Sequence, residues 1–174
     1  MKVLVIAASK HGSTLEIASA IEKVLISVGL ETAVVVPGKV TELAGYDAVI
    51  LGSAVYAGHW LEPAKQFVSR NLSALRARPV WLFSSGPIGD SGKPIEEPVD
   101  VARIRAATGA REHRVFSGRL ARRDLGRGER AIMAVLRVPE GDFRSWTEIE
   151  AWAMTIARTL QAEQAARQPL VPAL

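Results

Sequence analysis

Three nearly uninterrupted apolar blocks set the frame for this chain: Lys2-Val3-Leu4-Val5-Ile6-Ala7, Asp47-Ala48-Val49-Ile50-Leu51-Gly52 and Pro79-Val80-Trp81-Leu82-Phe83-Ser84. A strand wetted on one face alternates apolar and polar side chains. A block that is apolar throughout belongs to a strand covered on both faces, as in a parallel sheet. Between the blocks the period changes. Ile17, Ala18, Ile21, Val24, Leu25 and Val28 recur at helical spacing and stop at Gly29. Residues 61–76 read as a second helix with Pro63 in its first turn, where a missing N–H costs nothing, and residues 100–107 as a short third. A final helix opens on a Ser145-x-x-Glu148 capping box and carries Trp146, Ile149, Trp152, Ala153, Ile156 and Leu160. Residues 31–36, closed by Pro37-Gly38, and a segment centred on 113–116 supply two further strands. Strand and helix alternate about five times, so the expected fold class is α/β, a doubly wound five-stranded parallel sheet with helices on both faces.

The 174 residues suffice for one domain with a full core. The expected organisation is a single domain over 1–167 with a basic inserted segment at about 119–142, then a loose tail, 168–174, holding two prolines. The absence of cysteine excludes disulfides, a thiolate nucleophile and cysteine-ligated metal, and no metal site is expected. No apolar run approaches the ~18 residues needed to span a bilayer, and the first residues enter a strand with no signal peptide. The expected location is cytoplasmic. Charge is uneven. Residues 101–174 carry thirteen arginines and no lysine against eight carboxylates, whereas the first hundred residues are nearly balanced. That excess suits an anionic ligand, an acidic partner or a lipid headgroup layer; a GC-rich genome accounts for it equally well. Between Leu125 and Val138, apolar Ile132, Met133, Val135 and Leu136 alternate with Arg127, Arg130 and Arg137 as in a basic amphipathic helix. It would serve either as a cover on the domain or, over 119–138, as a peripheral contact with the inner face of the cell membrane. With Phe116 the lone aromatic residue in the patch, no nucleic acid is expected as a partner.

In a doubly wound sheet, ligands bind outside the carboxyl ends of the strands, near the switch in strand order. Three loops emerge there. The first, Ser9-Lys10-His11-Gly12-Ser13-Thr14, joins strand to helix and offers hydroxyls and free N–H groups at the positive end of a helix dipole. It matches neither the Gly-x-x-x-x-Gly-Lys-Ser/Thr triphosphate loop nor the Gly-x-Gly-x-x-Gly dinucleotide turn. It suits one terminal monophosphate; alternatively Ser13 or Thr14 merely caps the helix, with Glu16 favouring the dipole. The loop after the third strand, Ser53-Ala54-Val55-Tyr56-Ala57-Gly58-His59-Trp60, carries two aromatics able to stack on a flat ring, or to cover the sheet edge. The loop after the fourth, Ser84-Ser85-Gly86-Pro87-Ile88-Gly89-Asp90, is glycine-rich and presents N–H groups to a polar ring edge. No residue stands out as catalytic. His59 would donate a proton or cap the next helix.

With those residues in place, the chain resembles the flavodoxin-like flavin mononucleotide (FMN) proteins. Its first loop is similar to their Ser/Thr-x-Thr-Gly-x-Thr phosphate motif, with His11 where threonine is usual. Within that family it most resembles the quinone-dependent, flavodoxin-type protoporphyrinogen IX dehydrogenases. They share a Ser-x-x-Gly-x-Thr first loop and a Gly-His-aromatic ending of the third-strand loop, here Gly58-His59-Trp60. They also carry a late basic segment, whose place Arg119 to Asp142 takes. An aspartate-tryptophan pair opens their last helix, and Ser145-Trp146 matches it at the tryptophan alone. The fourth-strand loop differs from that group. The resemblance implies strand order 2-1-3-4-5 and non-covalent FMN, with Ser9 to Thr14 on the phosphate, Ser53 to Trp60 along the ring and Ser84 to Asp90 at its pyrimidine edge. A main-chain group near Gly58 would accept a hydrogen bond from N5 of the reduced ring. The function so implied is an FMN-dependent oxidoreductase taking a small-molecule substrate such as a porphyrinogen, with a quinone or a protein as electron partner. The alternatives are an electron-transfer flavodoxin with a basic partner surface and a phosphate-binding module without redox chemistry.

Overall fold

The computed structural model describes residues 1–86, 97–121, 126, 128 and 140–167. Strands β1 (Lys2–Ala8), β2 (Glu31–Val35), β3 (Ala48–Tyr56), β5 (Val80–Ser85) and β6 (Glu112–Phe116) form a parallel sheet in the order β2-β1-β3-β5-β6, and the two-residue β4 (His59–Trp60) returns antiparallel on β3. Counting the five parallel strands alone, this is the expected 2-1-3-4-5 order. β1 is an interior strand, with Val5 opposite Val34 of β2 on one side and Ile50 of β3 on the other, and β3 is the central one.

Both faces are covered, which is why the blocks are apolar throughout. Val3, Val5 and Ala7 pack with Ile17, Ile21 and Leu25 of α1 (Ser13–Ser27) and with Ile149, Trp152 and Ile156 of α5 (Trp146–Arg167). The alternate residues Leu4, Ile6 and Ala8 face the opposite layer of α2 (Glu62–Arg70), α3 (Leu72–Arg76) and α4 (Val101–Thr108), meeting Phe67, Leu75 and Val101. Successive side chains of a strand point to opposite faces, so one strand feeds both cores.

Three elements differ from expectation. The helix read over 61–76 is two, broken at Asn71, whose side-chain amide donates to the Phe67 carbonyl at 2.9 Å and competes with the backbone ladder. The third strand does not end at Gly52: β3 runs on through Ser53, Ala54, Val55 and Tyr56, and the fourth runs one residue past Ser84, to Ser85. Small and hydroxyl residues there hid the strand pattern. Near the end of the chain, β7 (Arg119–Leu120) and β8 (Gly141–Asp142) pair antiparallel at the two ends of the expected basic insertion. The amphipathic pattern of 125–138 lies outside the described residues, as do the tail 168–174 and Pro87, Gly89 and Asp90 of the fourth-strand loop. Among the described residues no helix is long and apolar enough to cross a membrane.

Candidate functional site

The turn between β1 and α1 bears on the choice between helix capping and anion binding. Gly12 precedes the helix with φ 86, a left-handed conformation that glycine adopts at little cost, and its carbonyl accepts the Glu16 N–H at 3.0 Å. Among the described residues no side chain caps α1. The Ser13 and Thr14 hydroxyls are buried and have no hydrogen-bond partner among the described residues. A capping serine or threonine would spend its oxygen on a helix N–H, so the capping reading fails here. A buried hydroxyl without a partner costs about 1–3 kcal/mol. Two of them at the positive end of a fifteen-residue helix form a cradle with the chemistry to hold a phosphate oxygen. Ser9 and His11 are half-buried and Lys10 is exposed beside it.

The first and third loops meet through Tyr56, the last residue of β3. The residue is 37% exposed, with the Lys10 ammonium 5.2 Å from its ring centroid and the His11 ring at 6.3 Å. The chain then reverses over two residues, since Tyr56 pairs with His59 and Val55 with Trp60. Ala57 (φ 49) and Gly58 (φ 79) both take positive φ, as a primed hairpin turn requires. For alanine the left-handed conformation costs roughly 1–2 kcal/mol, and such strain gathers at ligand clamps. The turn is anchored from behind: the Gly58 carbonyl accepts the Val99 N–H at 3.0 Å, and Asp100 Oδ2 accepts the Trp60 N–H at 2.9 Å and lies 3.2 Å from His59 Nδ1. His59 therefore does not cap α2, whose N-cap is Leu61.

The remaining expected residues form a floor under this rim. Trp60 is 2% exposed, so it offers no open face for stacking; its indole N–H donates to Ser84 Oγ at 2.8 Å. Ser53 is fully buried, accepting the Leu61 N–H at 2.9 Å and donating to the Ala54 carbonyl at 2.8 Å. Ala54 and Ser85 are buried, Val55 half-buried, and the Gly86 N–H is spent on the Phe116 carbonyl at 2.9 Å. The exposed rim is Tyr56, Ala57 and Gly58. Ser84, itself 0% exposed, lies 2.8 Å from His113 Nε2, and His113 Nδ1 lies 2.9 Å from Glu97 Oε1. Burial pushes the His113 imidazole below its ordinary pKa, although Glu97 pulls the other way.

Arg144 was not among the expected residues. Its side chain is 2% exposed, clasps Asp142 through Nε (2.8 Å) and a terminal nitrogen (2.6 Å), and donates to Glu16 at 2.7 Å and to the Ser13 carbonyl at 3.3 Å. Arg119 reaches Glu16 at 3.1 Å. Two guanidiniums thus neutralise the one carboxylate in the first turn of α1, which would otherwise repel an anion in the cradle. The Arg144 bond holds the Asp142 carboxyl below its usual range. Burial disfavours the Arg144 charge, but the bonds from Asp142 and Glu16 outweigh it and raise its pKa. In sequence Arg144 was one of the thirteen arginines of residues 101–174, with no signal to single it out.

Comparison with known proteins agrees with this fold. The family model described as "Flavodoxin domain" matches residues 4–145. A flavodoxin from the domain Archaea superimposes with a TM-score of 0.65 at 20% identity, covering 92% of this chain and 99% of that one. A Streptococcus pneumoniae flavodoxin gives 0.61 at 19% identity, covering 94% and 99%. Rubredoxin oxygen:oxidoreductase from Desulfovibrio gigas gives 0.66 at 18%, covering 94% of this chain and 37% of that protein. A curated relative, protoporphyrinogen IX dehydrogenase [quinone] of Escherichia coli K12, is 28% identical over 86 residues, 48% of this chain and 48% of that protein. The aligned stretch thus spans about half the length of that relative. With its fold, strand order and most of its length matched, the chain belongs to the flavodoxin domain family.

Proposed function

We propose that the chain binds FMN and acts as an oxidoreductase of the protoporphyrinogen IX dehydrogenase type, with a quinone as electron acceptor. The observation that carries the FMN reading is the pair of buried hydroxyls of Ser13 and Thr14, without a partner among the described residues, behind the left-handed Gly12. They fit a phosphate monoester: each can donate to a phosphate oxygen, and the first-turn N–H groups of α1 add donors along the helix dipole. Tyr56, Ala57 and Gly58 would flank the ring, and Ser9, Lys10 and His11 would close the phosphate end. When bound, FMN supplies one- and two-electron transfer.

The chain's own residues do the rest. The hairpin turn is held by Asp100 and by the Val99 N–H on the Gly58 carbonyl. With the Gly58 oxygen so engaged, the Ala57 carbonyl in the same turn would be the main-chain group to accept from the ring's N5. Trp60, Ser53 and Ser84 exclude water from beneath. The porphyrinogen substrate and the quinone rest on the half-length similarity to the Escherichia coli protein of that name.

Calorimetric titration of the purified chain with FMN tests the first half: saturable one-to-one uptake is expected, and a flat thermogram overturns it. For the second half, protoporphyrinogen IX should bleach the flavin absorbance anaerobically and an added quinone should restore it. Bleaching by a reduced protein carrier but not by the porphyrinogen would favour an electron-transfer flavodoxin instead.

A further inference from the structure

A chain of hydrogen bonds runs beneath the rim at the carboxyl end of the sheet, from the buried Trp60 and Ser84 through His113 to the half-exposed Glu97, and its direction is fixed at both ends. The Trp60 indole nitrogen can only donate, and an ionised Glu97 carboxylate can only accept. Ser84 Oγ therefore accepts from Trp60 at 2.8 Å and passes its own proton to His113 Nε2 at 2.8 Å. His113 carries its proton on Nδ1 and donates it to Glu97 at 2.9 Å. The imidazole must be neutral for the chain to close. Its side chain is 2% exposed, and Ser84 and Trp60 are equally buried. Four groups, on β4, β5, β6 and the segment entering α4, thus share one proton arrangement.

We propose that His113 is a positioning residue for the ring-side rim, and that its protonation weakens FMN binding by releasing the Tyr56–Gly58 hairpin. The inference rests on the FMN reading above. Protonated His113 presents an N–H where Ser84 needs an acceptor. Ser84 Oγ then faces two donors, and its own hydrogen has nowhere to go in a fully buried position. Relief requires Ser84 or the Trp60 indole to move. Trp60 is half of β4, the strand that holds the Ala57-Gly58 turn against β3. The groups facing the imidazole are Glu97 before α4, Glu112 on its own strand and Arg105 of α4. Both carboxylates favour the charged ring, Arg105 and burial oppose it, and burial is the largest effect. Asp100 acts on the hairpin side, on His59 and the Trp60 N–H.

The test compares FMN dissociation constants from pH 7.5 to 5 for the native chain and for His113→Gln. The glutamine side-chain oxygen can accept from Ser84 in place of Nε2 without titrating. The phosphate of FMN itself titrates near pH 6, so the difference between the two curves is the readout. The native affinity should fall about tenfold further than that of His113→Gln, a coupling of ordinary size for linked sites. Parallel curves overturn the inference and leave the FMN reading standing. Absence of uptake by both proteins at pH 7.5 overturns the FMN reading and the coupling with it. Nitrogen-15 shifts of the imidazole in the native chain give a second readout that needs no variant. A proton on Nδ1 and a bare Nε2 at pH 7.5 are expected, and a protonated Nε2 overturns the chain of bonds.

Discussion

At the scale of single residues, the site conflicts with the stability of the empty fold. Thr14 is 1% exposed and its hydroxyl has no partner among the described residues, although a hydroxyl so placed costs about 1–3 kcal/mol. Valine has the same shape without that cost. Thr14→Val should therefore raise the stability of the ligand-free protein by about 1 kcal/mol in urea denaturation. The same change should weaken FMN binding roughly tenfold or more by calorimetry, the affinity equivalent of one lost charge-assisted bond. A functional hydroxyl makes the two measurements move in opposite directions. A merely structural one would lower stability and leave affinity alone.

Among the elements, the β7–β8 hairpin is fastened to the first turn of α1 by one side chain. Arg144 clasps Asp142 of β8 and reaches Glu16 and the Ser13 carbonyl of α1, while its guanidinium lies 4.4 Å over the Trp146 ring. Arg144→Met fills similar volume but leaves two carboxylates facing each other. Because both are partly exposed, the loss should be about 2 kcal/mol, below the range for a fully buried pair. Faster hydrogen exchange at the Leu120 and Gly141 amides would locate the damage in this hairpin. Legibility divides along the same lines. The blocks at 2–7, 47–52 and 79–84 declared themselves because burial on two faces leaves no polar residue to interrupt them. The loop at 9–14 declared itself as a strand-to-helix junction. What stayed hidden depended on distance. Trp60, Ser84, His113 and Glu97 meet only because β3, β5 and β6 lie side by side. Trp60 looked like a stacking residue because no local pattern says which way an aromatic turns after a hairpin of Ala57-Gly58, a pair lacking the usual Asn-Gly signature. Arg144 was hidden among the thirteen arginines of residues 101–174, with no local pattern around it.

For the whole molecule, the two cores share the sheet, so a change at its centre is felt on both faces. Gly52 sits opposite Phe83 in the β3–β5 register, and any Cβ there would collide with the Phe83 ring. That ring is already wedged against Phe116 and Trp152, each with centroids at 6.2 Å, so Gly52→Ala should cost roughly 1–3 kcal/mol by overpacking and lower the urea midpoint. Acid acts on the same body through His113. Its folded pKa lies below the ordinary value near 6.5 because of burial. Between those two values the unfolded chain binds a proton that the folded one refuses, so unfolding gains free energy as pH falls. Stability of the ligand-free protein should hold from pH 8 to about 7, decline as pH drops through 6.5, and level off once the folded imidazole titrates. A second decline should begin near pH 4, where Asp142, held low by Arg144, gives up the advantage it carries above the ordinary carboxylate range. Urea midpoints at pH 8, 7, 6, 5, 4 and 3 for the native chain and His113→Gln separate the two: the first decline should vanish in the variant and the second should persist. A first decline unchanged in His113→Gln would place the titrating group elsewhere in the fold.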